Sequence, residues 1–159
     1  MRWRMYETYL KIKGKAAYLY RAVGKEGRTI DFKVTEKRDR KAAIRFFVQA
    51  ISSNGLPERV NIDKSGSNNS ALNRLNRLLL VCGCGPLIME VKRIKYLNNI
   101  VEADHRAIKR MTEPMLSFKT FKSAEATIVG IELCHMIKKG QMKNAAGVSV
   151  WEQFYDLAA

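Results

Sequence analysis

Three stretches near the start of the chain alternate apolar and polar residues. This pattern is typical of strands with one buried face. The stretches are residues 8–13, 18–22 and 29–34, and glycine-containing turns separate them. They predict an antiparallel meander of three strands.

From about Arg38 the apolar residues repeat at helical spacing, and the polar run Ser52-Ser-Asn-Gly-Leu-Pro57 ends the predicted helix. A short apolar strand, Arg59 to Ile62, follows and leads directly into Asp63. Residues 64–70 are rich in serine, glycine and asparagine and predict a loop. A leucine-rich helix is expected from residue 71 to about residue 80.

The second half of the chain predicts one more strand and two longer helices. The strand covers residues 87–92, and the helices run from about residue 98 to Glu113-Pro114 and over residues 121–139. Residues 1–140 are therefore expected to form one core domain, and residues 141–159 a polar linker and a short amphipathic helix. The buried line expected for the helix over residues 121–139 is Ala124, Ile128, Ile131 and Cys134.

The predicted order of elements is βββαβαβαα. A right-handed crossover after the third strand places strand four parallel to strand one. Strand one, the carboxyl end of strand four and the helix after strand five then lie close together, where α/β sheets favour ligand binding. This is an RNase H-like, mixed five-stranded α/β arrangement, in which acids from these three places hold two divalent metals. Asp63 and Glu102 stand at two of the three places.

The charge balance of the 159-residue chain is strongly basic, with 29 Lys and Arg against 15 Asp and Glu, a net charge of +14. Such an excess favours a polyanionic partner, because bound cations release counterions. A basic amphipathic segment with an aromatic face is missing, so nucleic acid is favoured over membrane lipid. We see no apolar run of membrane-spanning length and no signal peptide.

The chain has three cysteines, an odd number that suits a reducing cytoplasm. Cys82-Gly-Cys84 resembles half of a metal site, but no second cysteine pair accompanies it. We interpret this motif as a small-residue turn.

The predicted helix from about Asn98 has two unlike faces. An acid and three basic or titratable residues share one face, which could hold a metal beside bound phosphates. The alternative is a solvated amphipathic helix with pairs four residues apart. The first face carries Glu102, His105, Arg106 and Lys109, and the apolar face carries Ile100, Val101, Ala107, Ile108 and Met111.

Several motifs in one order resemble bacterial insertion-sequence transposases of the DDE type, in the IS-six or IS-twenty-six-like group. The resemblance covers nearly the whole chain. The motifs are Tyr6-Glu-Thr-Tyr-Leu-Lys-Ile-Lys-Gly-Lys15, Tyr18-Leu-Tyr-Arg-Ala-Val23, Ile62-Asp-Lys64, Lys95-Tyr-Leu-Asn-Asn-Ile-Val-Glu-Ala-Asp-His-Arg106, and Gly130-Ile-Glu132 to Gln141.

The resemblance implies that Asp63 and Glu102 are the second and third catalytic acids and ligands of Mg²⁺ or Mn²⁺. Lys109 matches a basic residue near the reacting DNA end, and Lys64, His105 and Arg106 are the other expected DNA contacts. The implied reaction is metal-dependent phosphoryl transfer, in which water nicks a strand and a 3′-hydroxyl then joins strands. The implied partners are transposon and target DNA, a second copy of the chain, or a full-length transposase.

Three departures from the family pattern predict a truncated or degenerate copy. Tyr6 stands where the first catalytic Asp belongs, and a phenol is a poor magnesium ligand at neutral pH. Glu7 cannot replace it, because adjacent strand residues face opposite ways. The helical region that recognises transposon ends is expected to be missing, and the stretch from Asp63 to Glu102 is a few residues longer than usual. Metal binding should therefore be weak.

Two other functions compete with an impaired transposase core. One is a non-enzymatic fragment that binds DNA or a transposase and regulates it. The other is an unrelated RNA-binding domain, which needs exposed aromatic residues for base stacking. The first-half aromatic residues instead occur at core spacing, namely Tyr18, Tyr20, Phe46 and Phe47.

Overall fold

The computed structural model describes residues 1–63, 66–94, 106, 108–113, 117–142 and 147–158. The strands and helices follow one another in the order that the apolar pattern predicts. They are β1 (Arg2–Ile12), β2 (Lys15–Gly24), β3 (Thr29–Thr35), α1 (Arg40–Asn54), β4 (Arg59–Ile62), α2 (Gly66–Val81), a short 3₁₀ helix (Gly85–Leu87), β5 (Glu90–Arg93), α3 (Phe121–Lys138) and α4 (Val150–Ala158). Residues 108–112 are also helical.

The five strands form one mixed sheet in the order β3-β2-β1-β4-β5. The first three strands are the predicted antiparallel meander. β4 lies parallel to both β1 and β5, as the crossover through α1 requires. The central position of β1 places its residues beside the carboxyl end of β4.

One face of the sheet packs against α1 and α2 and carries a mainly apolar core, with Glu7 and Asn68 as buried polar residues beside it. The apolar stripe of α1 lies over alternate residues of β1, β2 and β4. The buried members are Trp3, Met5, Tyr20, Ala22, Ala42, Ala43, Phe46, Phe47, Ala50, Val60, Ile62, Ala71, Leu72 and Met89. Tyr18 packs against this core partly buried, so the four aromatic residues that were predicted to be internal lie in or against it.

The opposite face packs against α3 and the helical residues around Ile108. Its apolar part includes Leu10, Leu19, Ile108, Ala124 and Ile128. The other apolar-face residue described in this helix, Met111, is 41% exposed, so the expectation for it was wrong. Of residues 108–113, Ile108 is the one that is buried.

β1 and α2 begin several residues before their predicted starts. β1 begins at Arg2 rather than Thr8, because it pairs with β2 as far as Trp3 and with β4 through Arg4. α2 begins at Gly66, so the loop prediction was wrong for residues 66–70. Serine and asparagine are favoured in a first helical turn as well as in loops. Tertiary contacts decide the outcome here, because Asn68 is buried and Ser67 donates to Glu7.

The predicted last strand is shorter than expected, because residues 85–87 form the 3₁₀ helix. In α3 the predicted burial of Cys134 was also wrong, since it is exposed. At the helical period the stripe through Ala124 and Ile128 continues to Glu132 and passes beside Cys134. Glu132 is fully buried in its place.

The Cys82-Gly-Cys84 motif is a helix end. The Cys84 N–H donates to the Leu79 carbonyl and the Gly83 N–H to the Leu80 carbonyl, which is the bonding pattern of a Schellman cap. Gly83 takes the positive φ of 74° that this cap needs. The predicted small-residue turn is therefore present.

Among the described residues, no helix combines the length and the apolar character that crossing a membrane requires.

Candidate active site

Tyr6 lies in the middle of β1 and faces away from α1 and α2. Its neighbour Met5 belongs to the apolar core, and alternation along the strand sends Tyr6 to the other face. Tyr6 is 5% exposed and packs with Val23, while Arg21 is its cross-strand partner on β2. The first position of the expected triad therefore holds a buried phenol.

Asp63 follows the last residue of β4 and is half-buried. Val60 and Ile62 point into the apolar core, so Asn61 points to the face that carries Tyr6, and the pleat continued to Asp63 gives the same face. Arg4 pairs with Asn61 in the parallel register. The pairing of β1 with β4 ends at these two residues, and Asp63 follows two positions after Asn61, just as Tyr6 follows two positions after Arg4.

Glu7 points to the other face, as strand alternation predicts. Its carboxylate forms an ion pair with Arg38 and accepts a hydrogen bond of 3.2 Å from the Ser67 hydroxyl. The Glu7 side chain is 3% exposed. Held in this way under α2, Glu7 is not available as a substitute for the acid that is missing at position 6.

The remaining predicted site residues divide into two groups. Glu102, Lys64 and His105 lie outside the described residues. Arg106 and Lys109 are described and exposed, on the helix whose Ile108 is buried against the sheet. Lys109 lines a groove of about 620 Å³ together with Tyr9, Lys11, Thr112 and Phe118 among others.

A buried ion pair, absent from the sequence predictions, lies next to Tyr6. The Arg21 guanidinium approaches Glu132 of α3 with a separation of 2.7 Å between Nε and Oε1, and both side chains are fully buried. Arg21 also donates to the Thr29 hydroxyl at 2.9 Å, and that hydroxyl donates to Glu132 at 3.3 Å. The sequence signal for this pair was a charged residue at an inward-facing position of β2, Arg21, and of α3, Glu132. A buried pair of this kind fixes how α3 sits against β2.

The segment after α3 reinforces the same region. The Gln141 side chain accepts from the Thr29 N–H at 2.8 Å and donates to the Thr29 carbonyl at 2.9 Å. Lys139 donates to the Gly27 carbonyl at 2.8 Å. The β2–β3 connection is thus held by residues more than a hundred positions away in the chain.

A basic groove of about 270 Å³, likewise not foreseen, opens on the Tyr6 face next to β4. Arg2 and Arg4 enter it from β1 at alternate positions, and this alternation was the sequence signal. Arg59 and Lys92 are partly neutralised by Glu90, which lies opposite Arg59 on β5. The described residues that line it are Arg2, Arg4, Lys25, Arg59, Asn61, Lys92 and Ile94. The groove can hold phosphates beside Asn61, which precedes Asp63 by two positions in the chain.

In the described part of the chain, no three His, Cys, Asp or Glu side chains come together as a metal site. Of the expected carboxylate ligands, the structure describes Asp63. The expected place of the first acid holds Tyr6. A hard divalent cation prefers carboxylate and other oxygen ligands, and the neutral phenol contributes no charge. As described, these residues do not fit a site for two divalent metals.

A family model for a DDE domain matches residues 1–141. Over 154 residues the chain is 34% identical to the transposase for insertion sequence-like element IS431mec of Staphylococcus aureus strain Mu50. It is equally similar to the transposase for insertion sequence element IS257 in transposon Tn4003 of Staphylococcus aureus. Each match covers 94% of this chain and 62% of the relative, so the chain spans less than two thirds of the length of these relatives.

Solved structures with similar folds are integrase catalytic cores. The catalytic core domain of BIV integrase matches with a TM-score of 0.61 and 18% identity, covering 99% of this chain and 95% of that one. The HTLV-2 integrase catalytic core domain in complex with magnesium, in its dimeric form, matches with a TM-score of 0.58 and 18% identity, covering 95% and 93%. At this identity the likeness concerns the fold, and it confirms the RNase H-like fold predicted from the order of elements.

Proposed function

The chain belongs to the DDE domain family of insertion-sequence transposases, and from this membership we propose that it is a DNA transposase core whose phosphoryl-transfer chemistry is impaired at Tyr6. Its substrates in this proposal are transposon ends and target DNA. The activity is nicking followed by joining through a 3′-hydroxyl. Residues 1–140 form the core and residues 141–159 the linker and terminal helix, and the chain acts in the cytoplasm, where bacterial DNA lies.

One observation carries the proposal. Tyr6 lies on β1, and Asp63 directly follows the neighbouring parallel strand β4, which supports assigning the family's first two acidic positions to these residues. Asp63 keeps its carboxylate, and Tyr6 replaces the other by a buried ring. The place of the first acid is therefore kept while its chemistry is lost.

Asp63 and Glu102 would hold a divalent metal, whose chemistry would be to activate an attacking oxygen and to neutralise phosphate charge. Mg²⁺ or Mn²⁺ would depend on Asp63 and Glu102, so we expect weak binding. The other residues serve DNA. Lys64, His105, Arg106 and Lys109 are the proposed contacts near the reacting end, and Arg2, Arg4 and Lys25 of the basic groove add phosphate contacts.

Restoring the acid tests this proposal directly. We expect Tyr6→Asp to raise Mn²⁺ affinity in calorimetric titration and to produce metal-dependent nicking of supercoiled plasmid, because strand geometry aims the new carboxylate towards Asp63. Tyr6→Asn is the matched control, since it has nearly the shape of Asp without the charge. Asp63→Ala and Glu102→Ala, each combined with Tyr6→Asp, should abolish both gains. Circular dichroism of every variant shows whether it is folded.

Two results would overturn the assignment. Nicking by the unmodified chain at the level of Tyr6→Asp would mean that position 6 is not the missing acid. Equal gains from Tyr6→Asp and Tyr6→Asn would mean that removal of the ring, and not a carboxylate, changes activity.

Tyr6 also favours a second function, in which the chain binds DNA or a transposase without catalysis, as a homo-oligomer or in a mixed oligomer. This function predicts duplex binding by the unmodified chain and inhibition of an active transposase mixed with it. If Tyr6→Asp folds, binds Mn²⁺ tightly and still fails to nick, the regulatory function is preferred.

A further inference from the structure

A groove runs between the start of α1 and the middle of α2, on the face of the sheet opposite Tyr6. We call it the α1–α2 groove. Its volume is about 620 Å³. It is lined by Arg40, Lys41 and Ile44 of α1 and by Asn69, Ser70, Asn73, Arg74 and Arg77 of α2.

The charge of the α1–α2 groove is unbalanced. Among the described residues, eight side chains line it; four of them are exposed cations and none is an acid. Within the described ranges, none of the four forms an ion pair with a carboxylate. Four like charges held together by two packed helices favour binding of a polyanion.

The other lining residues indicate which polyanion fits. Two asparagines and a serine can donate hydrogen bonds to phosphate oxygens, as such residues do at DNA backbones. None of the described side chains that line the groove is aromatic, so these residues offer bases of a single strand no ring to stack on. Arg74 and Arg77 lie about 4.5 Å apart along the axis of α2. Successive phosphates of a duplex strand rise by about 3.4 Å along the duplex axis, so the two arginines can reach neighbouring phosphates.

We propose that the α1–α2 groove binds the sugar-phosphate backbone of duplex DNA without sequence preference. This site deepens the proposed function, on which it rests for the choice of DNA. The Tyr6 face lies on the other side of the sheet, so DNA in this groove is a segment distinct from the one at Tyr6 and Asp63. The groove would hold a second duplex, or a remote part of the same long duplex.

The test measures binding of two unrelated 20-base-pair duplexes by fluorescence anisotropy, in EDTA, from 50 to 200 mM salt. The variant is Arg74→Gln with Arg77→Gln. Because each phosphate contact contributes about 0.9 to the salt slope, we expect the slope of log affinity against log salt to become less steep by about 1.8. Affinity at the lowest salt should fall about tenfold, and equally for both duplexes.

The matched control is Arg28→Gln with Arg93→Gln, which removes the same charge from exposed arginines outside the groove. It should leave the slope nearly unchanged. Parallel measurements use a single strand of the same length and vesicles of phosphatidylcholine and phosphatidylserine at a ratio of about three to one, a composition that supplies anionic headgroups.

If both double variants lose duplex affinity equally, the groove is not the site and only general charge matters. A larger loss for vesicles or for the single strand than for duplex would also overturn the proposal, in favour of that ligand. If the unmodified chain binds no duplex even at low salt, the proposed DNA function fails together with this site. Because EDTA removes divalent metals, a failure of the Tyr6→Asp nicking experiment leaves this test unaffected.

Discussion

The two faces of the sheet are stabilised by different means. The face under α1 and α2 is covered by apolar side chains from elements that follow one another in the chain. The face under α3 combines a smaller apolar cluster with the buried Arg21–Glu132 pair and the hydrogen bonds of Gln141. Tyr6, at the expected place of the first catalytic acid, lies on this second face. The polar contacts of this face join positions 103 and 112 residues apart in sequence.

The two kinds of core respond differently to substitution, and this bears on how the fold holds the strand that carries Tyr6. An apolar core tolerates exchange of one apolar residue for another of similar volume. Removing either partner of a buried ion pair strongly lowers the free energy of unfolding, because the other charge stays buried and unpaired. Arg21 lies across from Tyr6, so the pair fixes the strand next to the proposed catalytic position whichever residue occupies that position.

The largest expected effect is on the second face. Glu132→Leu leaves the Arg21 guanidinium buried without its carboxylate, and we expect a loss of about 3–5 kcal/mol in the free energy of unfolding. Urea denaturation followed by circular dichroism measures it. Arg21→Met combined with Glu132→Leu should recover most of the loss, because both charges are then gone. If the double variant is no more stable than Glu132→Leu alone, the unpaired charge of Arg21 does not explain the loss of stability.

The corresponding change on the first face is Leu72→Ala. Leu72 is fully buried between α2 and the sheet, so its truncation leaves a cavity, and we expect a loss of about 3 kcal/mol in the same urea experiment. Leu72→Met keeps nearly the same volume and should cost much less. Equal losses for these two variants would contradict an apolar packing role.

These two faces were not equally predictable from sequence. The buried residues of α1 repeat at helical spacing, so Phe46 and Phe47 could be assigned to the core without coordinates. Periodicity cannot pair Arg21 with Glu132, because nothing local in either segment identifies the partner. Because the partner of Glu132 could not be identified, the buried line of α3 was assigned to Cys134. In the structure Glu132 continues that line instead.

The candidate site was predictable in part. Strand alternation and the parallel crossover were enough to put Tyr6 and Asp63 on one face and Glu7 on the other. The basic groove was not predicted, although Arg2 and Arg4 alternate along the chain, because no local pattern brings them together with Lys25, Arg59 and Lys92. The roles of Asp63, Glu102 and the basic residues came from the family resemblance and stay predictions.

A smaller effect is expected at the start of α1, on the first face. The Asp39 carboxylate accepts from the Ala42 N–H at 2.7 Å and caps the helix. Asp39→Ala should reduce the free energy of unfolding by about 1 kcal/mol, whereas Asp39→Asn, which can still cap, should lose less. If Asp39→Ala is as stable as the unmodified chain, the cap makes no net contribution.

The smallest expected effect appears only in alkaline solution and again concerns the first face. Burial, and secondly the charge of Glu7, raise the pKa of the Tyr20 phenol well above its usual range, because both oppose formation of a phenolate. The folded chain therefore keeps the Tyr20 proton at a pH where the unfolded chain releases it. The stability that this difference contributes is complete below the pKa of the unfolded state, about 10, and is lost as pH rises from there towards the folded pKa.

We expect the free energy of unfolding to fall between about pH 10 and pH 11, and to fall less steeply in Tyr20→Phe, which has no phenol to ionise. Urea denaturation at several pH values, compared between the two chains, isolates the Tyr20 contribution. If the stability difference between the two chains stays constant from about pH 8 to about pH 11, Tyr20 ionises as easily in the folded chain as in the unfolded one.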